Sequence, residues 1–225
     1  MMDYLYFIKA EAGAGTALAR TFLDDIGPDI AAQAQCLALR LNLAIEPPQM
    51  GALYANEAKS GEDWDLSLEL SCESHADFTL LRALFEPRLR AYGAEFIGYR
   101  VQVRVEKDEL PQADTQPNVG YKLMRGIFAQ PDLSTQAFRR SWDRHVWLAK
   151  KIHGFARYTR FLVEEAVTPD APAIAGATGL HFASAEDLRE RYFQGPDGRV
   201  LITHDIGHFI ESGLSRLFSA EYILK

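Results

Sequence analysis

The sequence predicts an α+β fold made of two tandem repeats, each with the element order β-α-β-β-α-β. Segments of alternating apolar and polar residues, typical of strands with one buried face, are separated by segments with the three- and four-residue apolar spacing of helices. The order of these patterns in the first half returns in the second half. Between the halves, residues 107–118 hold two prolines and almost no apolar side chain, which indicates a linker.

The first half, residues 1–110, contains four strand patterns and two helix patterns. We expect Gly27 and Pro28 to interrupt the first helix before a short continuation, because proline cannot donate a backbone hydrogen bond inside a helix. The second helix begins at Ser74, which stands three residues before Asp77 as in a capping box. The strands are predicted at residues 4–10, 36–45, 65–72 and 95–105, with a long polar loop at residues 50–63.

The second half, residues 118–225, repeats this order. Its first helix begins after Ser134 and ends at Gly154. Ser184 and Asp187 repeat the capping spacing before the second helix, and a further short helix follows near the C-terminus. The strands are predicted at residues 121–128, 156–164, 177–183 and 215–224, and the short helix at about 200–210.

Each half therefore has the split βαβ arrangement of a ferredoxin-like domain. Each antiparallel sheet keeps an apolar face that a single helix layer cannot fully cover. We predict that the two sheets pack together as an α+β barrel within one chain.

Composition excludes several classes of protein. The 225 residues are 48% hydrophobic and 24% charged, as in ordinary globular proteins. The net charge of -7, without a sustained basic stripe, argues against nucleic-acid binding. The sequence lacks a membrane-spanning apolar run, and Asp3 stands where a signal peptide has basic residues. Cys36 and Cys72 have no ligand-spaced neighbours, so we expect reduced packing residues in a cytoplasmic protein.

The helix predicted over residues 138–153 contains an unusual apolar stripe. His145 lies within the stripe, one turn from Trp142, whereas charged residues take the other directions. Two interpretations stay open: a core histidine bonded to the backbone, and an imidazole that faces a cavity and acts as a base near neutral pH. The stripe consists of Phe138, Trp142, His145, Ala149 and Ile152.

Four other residues are candidates for a site around this helix. Asp205 lies on the short C-terminal helix and could orient the imidazole if that helix covers the cavity; otherwise it is a cap or a surface pair. Arg125 and Tyr158 lie on strands and could hold a substrate carbonyl or carboxylate, although strand arginines are commonly on the surface. His181 also lies on a strand, but Leu180 and Phe182 beside it point to the opposite face.

Sequence motifs for metal or nucleophilic catalysis are missing. His204 and His208 are four residues apart and could ligate a metal, but no third ligand is evident, so we predict that no metal is required. The GAG of residues 13–15 lacks the rest of a nucleotide-binding fingerprint. GxSxG, HExxH, P-loop and CxxC motifs are absent, which argues against a serine hydrolase, a zinc protease and a kinase.

Several of these residues together form a pattern over residues 120–225 that resembles the EthD-like members of the dimeric α+β barrel superfamily. The first half lacks the pattern and is similar only in element order, as a diverged repeat that serves as the partner sheet. The resemblance is carried by Lys122 and Arg125, the F-x-x-x-W-x-x-H of Phe138, Trp142 and His145, the G-x-x-x-Y of Gly154 and Tyr158, Phe182 before SAED, and the D-x-x-x-F of Asp205 and Phe209.

This resemblance implies a cavity between sheet and helices with a few His, Asp or Arg side chains. With the histidine in its apolar stripe, it predicts a cofactor-independent enzyme of lyase, isomerase or monooxygenase type that transfers protons on a hydrophobic, aromatic or carbonyl-bearing small molecule. The alternative is a non-catalytic binding or stress-response module that accompanies an oxygenase. Association of two chains as a homodimer stays open. The predicted catalytic residues are His145 and Asp205, and the predicted substrate-binding residues are Trp142, Arg125, Tyr158, His181 and His208.

Overall fold

The computed structural model describes residues 1–46, 64–111 and 116–225. The predicted loop at 50–63 and the centre of the predicted linker lie outside these ranges. The described residues form six α-helices and a nine-stranded sheet in which all pairings are antiparallel. The strands are β1 Met2–Lys9, β2 Cys36–Ala44, β3 Leu66–Cys72, β4 Glu95–Asp108, β5 Tyr121–Ala129, β6 Arg157–Ala166, β7 Gly176–Phe182, β8 Ile210–Gly213 and β9 Leu217–Ile223. The helices are α1 Gly15–Thr21, α2 Gly27–Ala31, α3 His75–Ala91, α4 Thr135–Ile152, α5 Ala185–Arg191 and α6 Gly198–Ile206.

The strand order has the ferredoxin-like arrangement twice. The first repeat has the order β4-β1-β3-β2, and the second has β9-β5-β7-β6. Antiparallel pairing of β4 with β6 and of β2 with β9 joins the two sheets at both edges and closes the barrel. The fold class predicted from the sequence is therefore confirmed. The domain boundaries at residues 110 and 118 stay a prediction.

The structure corrects the sequence prediction at two elements. The first helix is not interrupted at Gly27 and Pro28, because α1 passes through a π-helical turn at Phe22–Ile26 into α2. Pro28 lies in the first turn of α2, where its missing N–H is not needed. In the second repeat, the short strand β8 precedes β9 along the same edge of β5. No helix in the described ranges has both the length and the apolar character needed to cross a membrane.

Alternation along the strands gives each sheet residue one of two environments. On β1, Tyr4 and Tyr6 pack under the helices of the first repeat, whereas Leu5 and Phe7 point into the barrel. The apolar part of the barrel interior also contains side chains from both repeats. They include Ile97, Tyr99, Met124, Phe161, Ala177 and Leu217.

The other part of the barrel interior is charged. Lys122 on β5 is buried, and its Nζ donates hydrogen bonds to the carboxylates of Glu69 on β3 and Glu221 on β9, the latter at 2.6 Å. Burial alone would lower the pKa of Lys122, but the two carboxylates outweigh it and raise that pKa. Asn42 donates to Glu69 at 2.8 Å, and Arg157 donates to Glu221 at 2.9 Å. The ion pairs therefore connect the first repeat to the second inside the barrel.

Candidate active site on helix α4

Helix α4 presents the apolar stripe to the sheet. The Ser134 hydroxyl caps its first turn by accepting the Ala137 N–H at 3.2 Å, and Lys150 and Lys151 lie in the last turn, where positive charge complements the helix dipole. All five residues of the predicted stripe are buried. The spacing of apolar residues thus places His145 at the contact between α4 and the rest of the second repeat.

His145 forms a hydrogen-bonded pair with Asp205 from α6. His145 Nδ1 lies 2.6 Å from Asp205 Oδ2. The histidine is 8% exposed, and the Asp205 side chain is 39% exposed. When Nδ1–H donates to the carboxylate, the neutral imidazole carries its lone pair on Nε2. Nδ1 is the nitrogen of His145 that is hydrogen-bonded among the described residues, which leaves Nε2 to accept a proton.

The surroundings of His145 favour its neutral form. Burial lowers its pKa from the ordinary value of 6.5, and the positive charge of Arg160 acts in the same direction. The hydrogen bond and negative charge of Asp205 oppose this change without reversing it. At neutral pH the imidazole is therefore a base rather than a cation.

An aromatic cluster of Phe138, Trp142 and Phe209 surrounds this pair on its buried side. The Phe209 ring centroid lies 5.5 Å from that of His145 and 5.9 Å from that of Phe138. Phe138 in turn lies 5.3 Å from Trp142. The Trp142 indole Nε1–H donates to the Tyr158 hydroxyl at 3.1 Å. The site is therefore apolar and aromatic, with few polar groups that can contact a ligand.

Gly176 on β7 allows the Trp142 ring to lie against the sheet. A Cβ at this position would lie 2.4 Å from Trp142 Cζ3 and 2.8 Å from the Phe161 carbonyl oxygen. Gly176→Ala is expected to lower the free energy of unfolding by about 1–3 kcal/mol, because the overpacked ring must shift. Urea unfolding of the purified variant measures this change. Unaltered stability would mean that the Trp142 ring is not held where the structure shows it.

Arg160 on β6 belongs to the same site, and sequence reasoning missed it. Its side chain is 2% exposed, and its guanidinium carbon lies 5.2 Å from the Trp142 ring centroid. Nε donates to Glu106 at 2.8 Å, and Nη2 donates to Glu106 at 2.5 Å and to Asp143 at 2.8 Å. Nη1 is buried and has no partner in the described part of the chain. The sequence could have indicated this position, because Arg160 lies two residues after Tyr158 on the same strand and residues two apart share one face of a sheet.

The remaining predicted substrate-binding residues are His181, Arg125 and His208. His181 points into the barrel, on the opposite face of the sheet, where its Nε2–H donates to the Val119 carbonyl at 2.7 Å. Arg125 Nε donates to the Leu214 carbonyl at 3.2 Å. His204 and His208 are exposed and contact each other edge to face, with ring centroids 4.9 Å apart. The structure thus joins His145, Asp205, Trp142 and Tyr158, but not His181.

No group of three or more His, Cys, Asp or Glu side chains that could hold a metal ion occurs in the described residues. The residues near His145 include two carboxylates, Asp143 and Asp205. These two carboxylates bond to Arg160 and His145, respectively.

Comparison with known proteins shows the fold. No family model matches the chain, and no curated protein matches it. An anthrone oxidase-like protein superposes with a TM-score of 0.66 at 8% identity, covering 99% of this chain and 93% of its own. A monooxygenase-like protein from Lactobacillus acidophilus NCFM has a TM-score of 0.55 at 10% identity, with 99% and 94% covered. A mutant chlorite dismutase from Candidatus Nitrospira defluvii has a TM-score of 0.55 at 10% identity, with 99% and 92% covered.

Proposed function

We propose that this protein is an enzyme that transfers a proton to or from a small hydrophobic molecule without a cofactor. The observation that carries the proposal is the 2.6 Å contact between His145 and Asp205 beside the aromatic cluster. A buried imidazole with one nitrogen fixed by a carboxylate and the other unpaired has the arrangement that general-base catalysis needs. The anthrone oxidase-like and monooxygenase-like structures of the same fold support a role in small-molecule chemistry.

The two residues have separate roles in this proposal. His145 Nε2 removes a proton from a C–H or O–H group of the substrate, whose electron pair remains on the substrate. Asp205 accepts the Nδ1–H bond throughout, which holds the required tautomer and stabilises the imidazolium that forms. The aromatic cluster binds the apolar part of the substrate and keeps water away from the base. General-base catalysis of this kind typically contributes about 10²–10⁴-fold to a rate.

The narrower assignments belong to the same proposal. We propose that the second repeat is EthD-like, that the reaction is of lyase, isomerase or monooxygenase type, and that the protein works in the cytoplasm. Support comes from the aromatic and histidine pattern of residues 138–145 and from the late Asp205 and Phe209, which contact that helix in the structure.

Deuterium exchange tests the proposal without knowledge of the natural substrate. Aromatic compounds with a C–H group next to a carbonyl are incubated with the protein in D₂O, and loss of the proton signal is followed by NMR. His145→Gln is expected to reduce catalysed exchange by about 10²-fold or more, while the melting temperature stays close to that of the parent protein. Exchange should decrease below pH 6.5, as His145 becomes protonated, with a midpoint below that value because burial lowers the pKa.

His204→Gln is the matched control, because this exposed histidine lies one residue before Asp205 on α6. The His204→Gln variant should catalyse deuterium exchange at the rate of the parent protein. A lowered melting temperature for His145→Gln, with normal exchange per folded molecule, would identify His145 as a core histidine. Saturable quenching of tryptophan fluorescence by these compounds without exchange would instead support the non-catalytic binding module.

A further inference from the structure

Helix α3 of the first repeat turns an uncharged face to solvent. The water-facing side of a surface helix normally carries charged residues, as it does on α4, where Arg144 and Lys151 are exposed. On α3, by contrast, every exposed residue in the turns from Ala76 to Pro87 is uncharged. These residues, which we call the α3 face, are Ala76, Thr79, Leu80, Ala83 and Pro87.

Most of the α3 face is apolar. Ala76, Leu80, Ala83 and Pro87 follow one another at steps of four, three and four residues, so they form one stripe along the helix. Leu80 is 59% exposed, although burial of a leucine side chain is strongly favourable. The opposite side of α3 packs into the core of the first repeat. The α3 face therefore contributes little to that core, and a partner that covered it would gain apolar contacts.

The sizes of the side chains on the α3 face fit a second copy of the same helix. An antiparallel pair of α3 helices can place Leu80 of one copy against Ala83 of the other. The same register places Pro87 of one copy against Ala76 of the other. Each larger side chain thus meets an alanine, which allows the helix axes to approach to about 8 Å, the lower end of the usual range.

The charges at the ends of α3 favour this antiparallel register. Glu73 is exposed just before the helix, and Arg90 lies in its last turn with the side chain 58% exposed. Arg90 shares the buried carboxylate of Glu86 with Arg82, so these two positive charges have one common partner. In the register described above, Arg90 of one copy faces Glu73 of the other at both ends of the pair. Antiparallel packing also brings opposite ends of the two helix dipoles together.

We propose that two copies of this chain associate through the α3 face as an antiparallel, two-fold symmetric dimer. The strand pairs β4–β6 and β2–β9 already close the barrel within one chain, so this dimer does not form by joining sheets. Because α3 belongs to the first repeat and the His145–Asp205 pair to the second, the inference is independent of the proposed function. One helix from each copy makes a small interface, so we expect a dissociation constant in the micromolar range.

Sedimentation velocity at a series of protein concentrations measures this association in the full chain. The parent protein should pass from monomer to dimer as its concentration rises. Leu80→Glu should raise the dissociation constant by about tenfold or more, because each copy would then bury a charge against Ala83 of the other. Val200→Glu is the matched control: Val200 is an apolar residue, 67% exposed, on α6, and its replacement should leave the dissociation constant unchanged. Melting temperatures of both variants should stay close to that of the parent protein, since both positions are exposed.

Cysteine cross-linking tests the antiparallel register. The variants Leu80→Cys and Ala83→Cys are oxidised separately and as a mixture, while the natural Cys36 and Cys72 are buried. The mixture should form covalent dimers faster than either variant alone, because positions 80 and 83 of opposite copies face each other. Faster cross-linking in Leu80→Cys alone than in the mixture would contradict this register. A parent protein that remains monomeric at about 1 mM, or a dimer that Leu80→Glu leaves intact, would overturn the inference.

Discussion

Lys122→Met is expected to lower the free energy of unfolding by about 3–5 kcal/mol, since removing one partner of a buried ion pair leaves uncompensated charge in the interior. Glu69 and Glu221 both bond to Lys122 Nζ, and all three residues are buried. Without the lysine, Glu69 would lose its buried cation, and Glu221 would keep only the Arg157 guanidinium, which donates to it at 2.9 Å. Urea unfolding followed by circular dichroism measures the loss.

Two further variants separate this explanation from general damage to the barrel. Adding Glu69→Gln to Lys122→Met should restore part of the stability, because much of the cost comes from the carboxylate left without its buried cation. Arg191→Met breaks an exposed pair with Asp187 and should cost less than about 1 kcal/mol. A loss of similar size in Arg191→Met and Lys122→Met would contradict the importance of burial.

The element order was predictable because alternation and capping are local signals. Ser74 with Asp77, Ser134, and Ser184 with Asp187 each begin a helix where their spacing predicts one. The continuity of the first helix was not predictable from Pro28, because a preceding π-helical turn changes where the proline falls in the helix. Local patterns thus determine the type of each element better than its exact ends.

The charged part of the barrel interior could not be predicted from alternation. In β3, Ser67 and Glu69 alternate with leucines and resemble the solvent face of a half-exposed strand. Closure of the barrel buries that face as well, and the partner of Glu69 is Lys122, 53 residues away on the other repeat. Alternation divides the residues of a strand between two faces, but it does not say which faces another sheet will cover.

The candidate site shows the same difference between local and long-range information. The stripe of α4 was predictable from its spacing, and the position of Asp205 near His145 was expected only if α6 covered the stripe. The structure contains that contact, while the catalytic role of both residues stays a proposal. Arg160 was missed because its unusual features depend on contacts that are distant in the sequence. Its guanidinium bonds to Glu106 on β4 and Asp143 on α4, and Nη1 has no partner among the described residues.

Acidification from pH 7.5 to 5 is expected to remove about 4 kcal/mol of stability through His153 and His181. Burial lowers the pKa of each to about 4, from an ordinary value of 6.5. Because these histidines bind protons more weakly when folded, protons favour the unfolded chain. Their contribution is complete above pH 6.5, declines from there to pH 4, and amounts to a loss of about 2 kcal/mol each by pH 5.

The groups facing these histidines explain why the neutral form persists. Burial opposes protonation of His181 most strongly; the negative charge of Glu221 favours protonation, and the positive charges of Lys122 and Arg157 oppose it. His153 contacts the Tyr192 carbonyl and lies among aromatic rings. Urea unfolding at a series of pH values measures how the free energy of unfolding changes with pH. This free energy should change less steeply with pH in His181→Gln and in His153→Gln than in the parent protein. The exposed control His204→Gln should show the same slope as the parent protein. Equal slopes in all four proteins would show that neither buried histidine resists protonation in the folded chain.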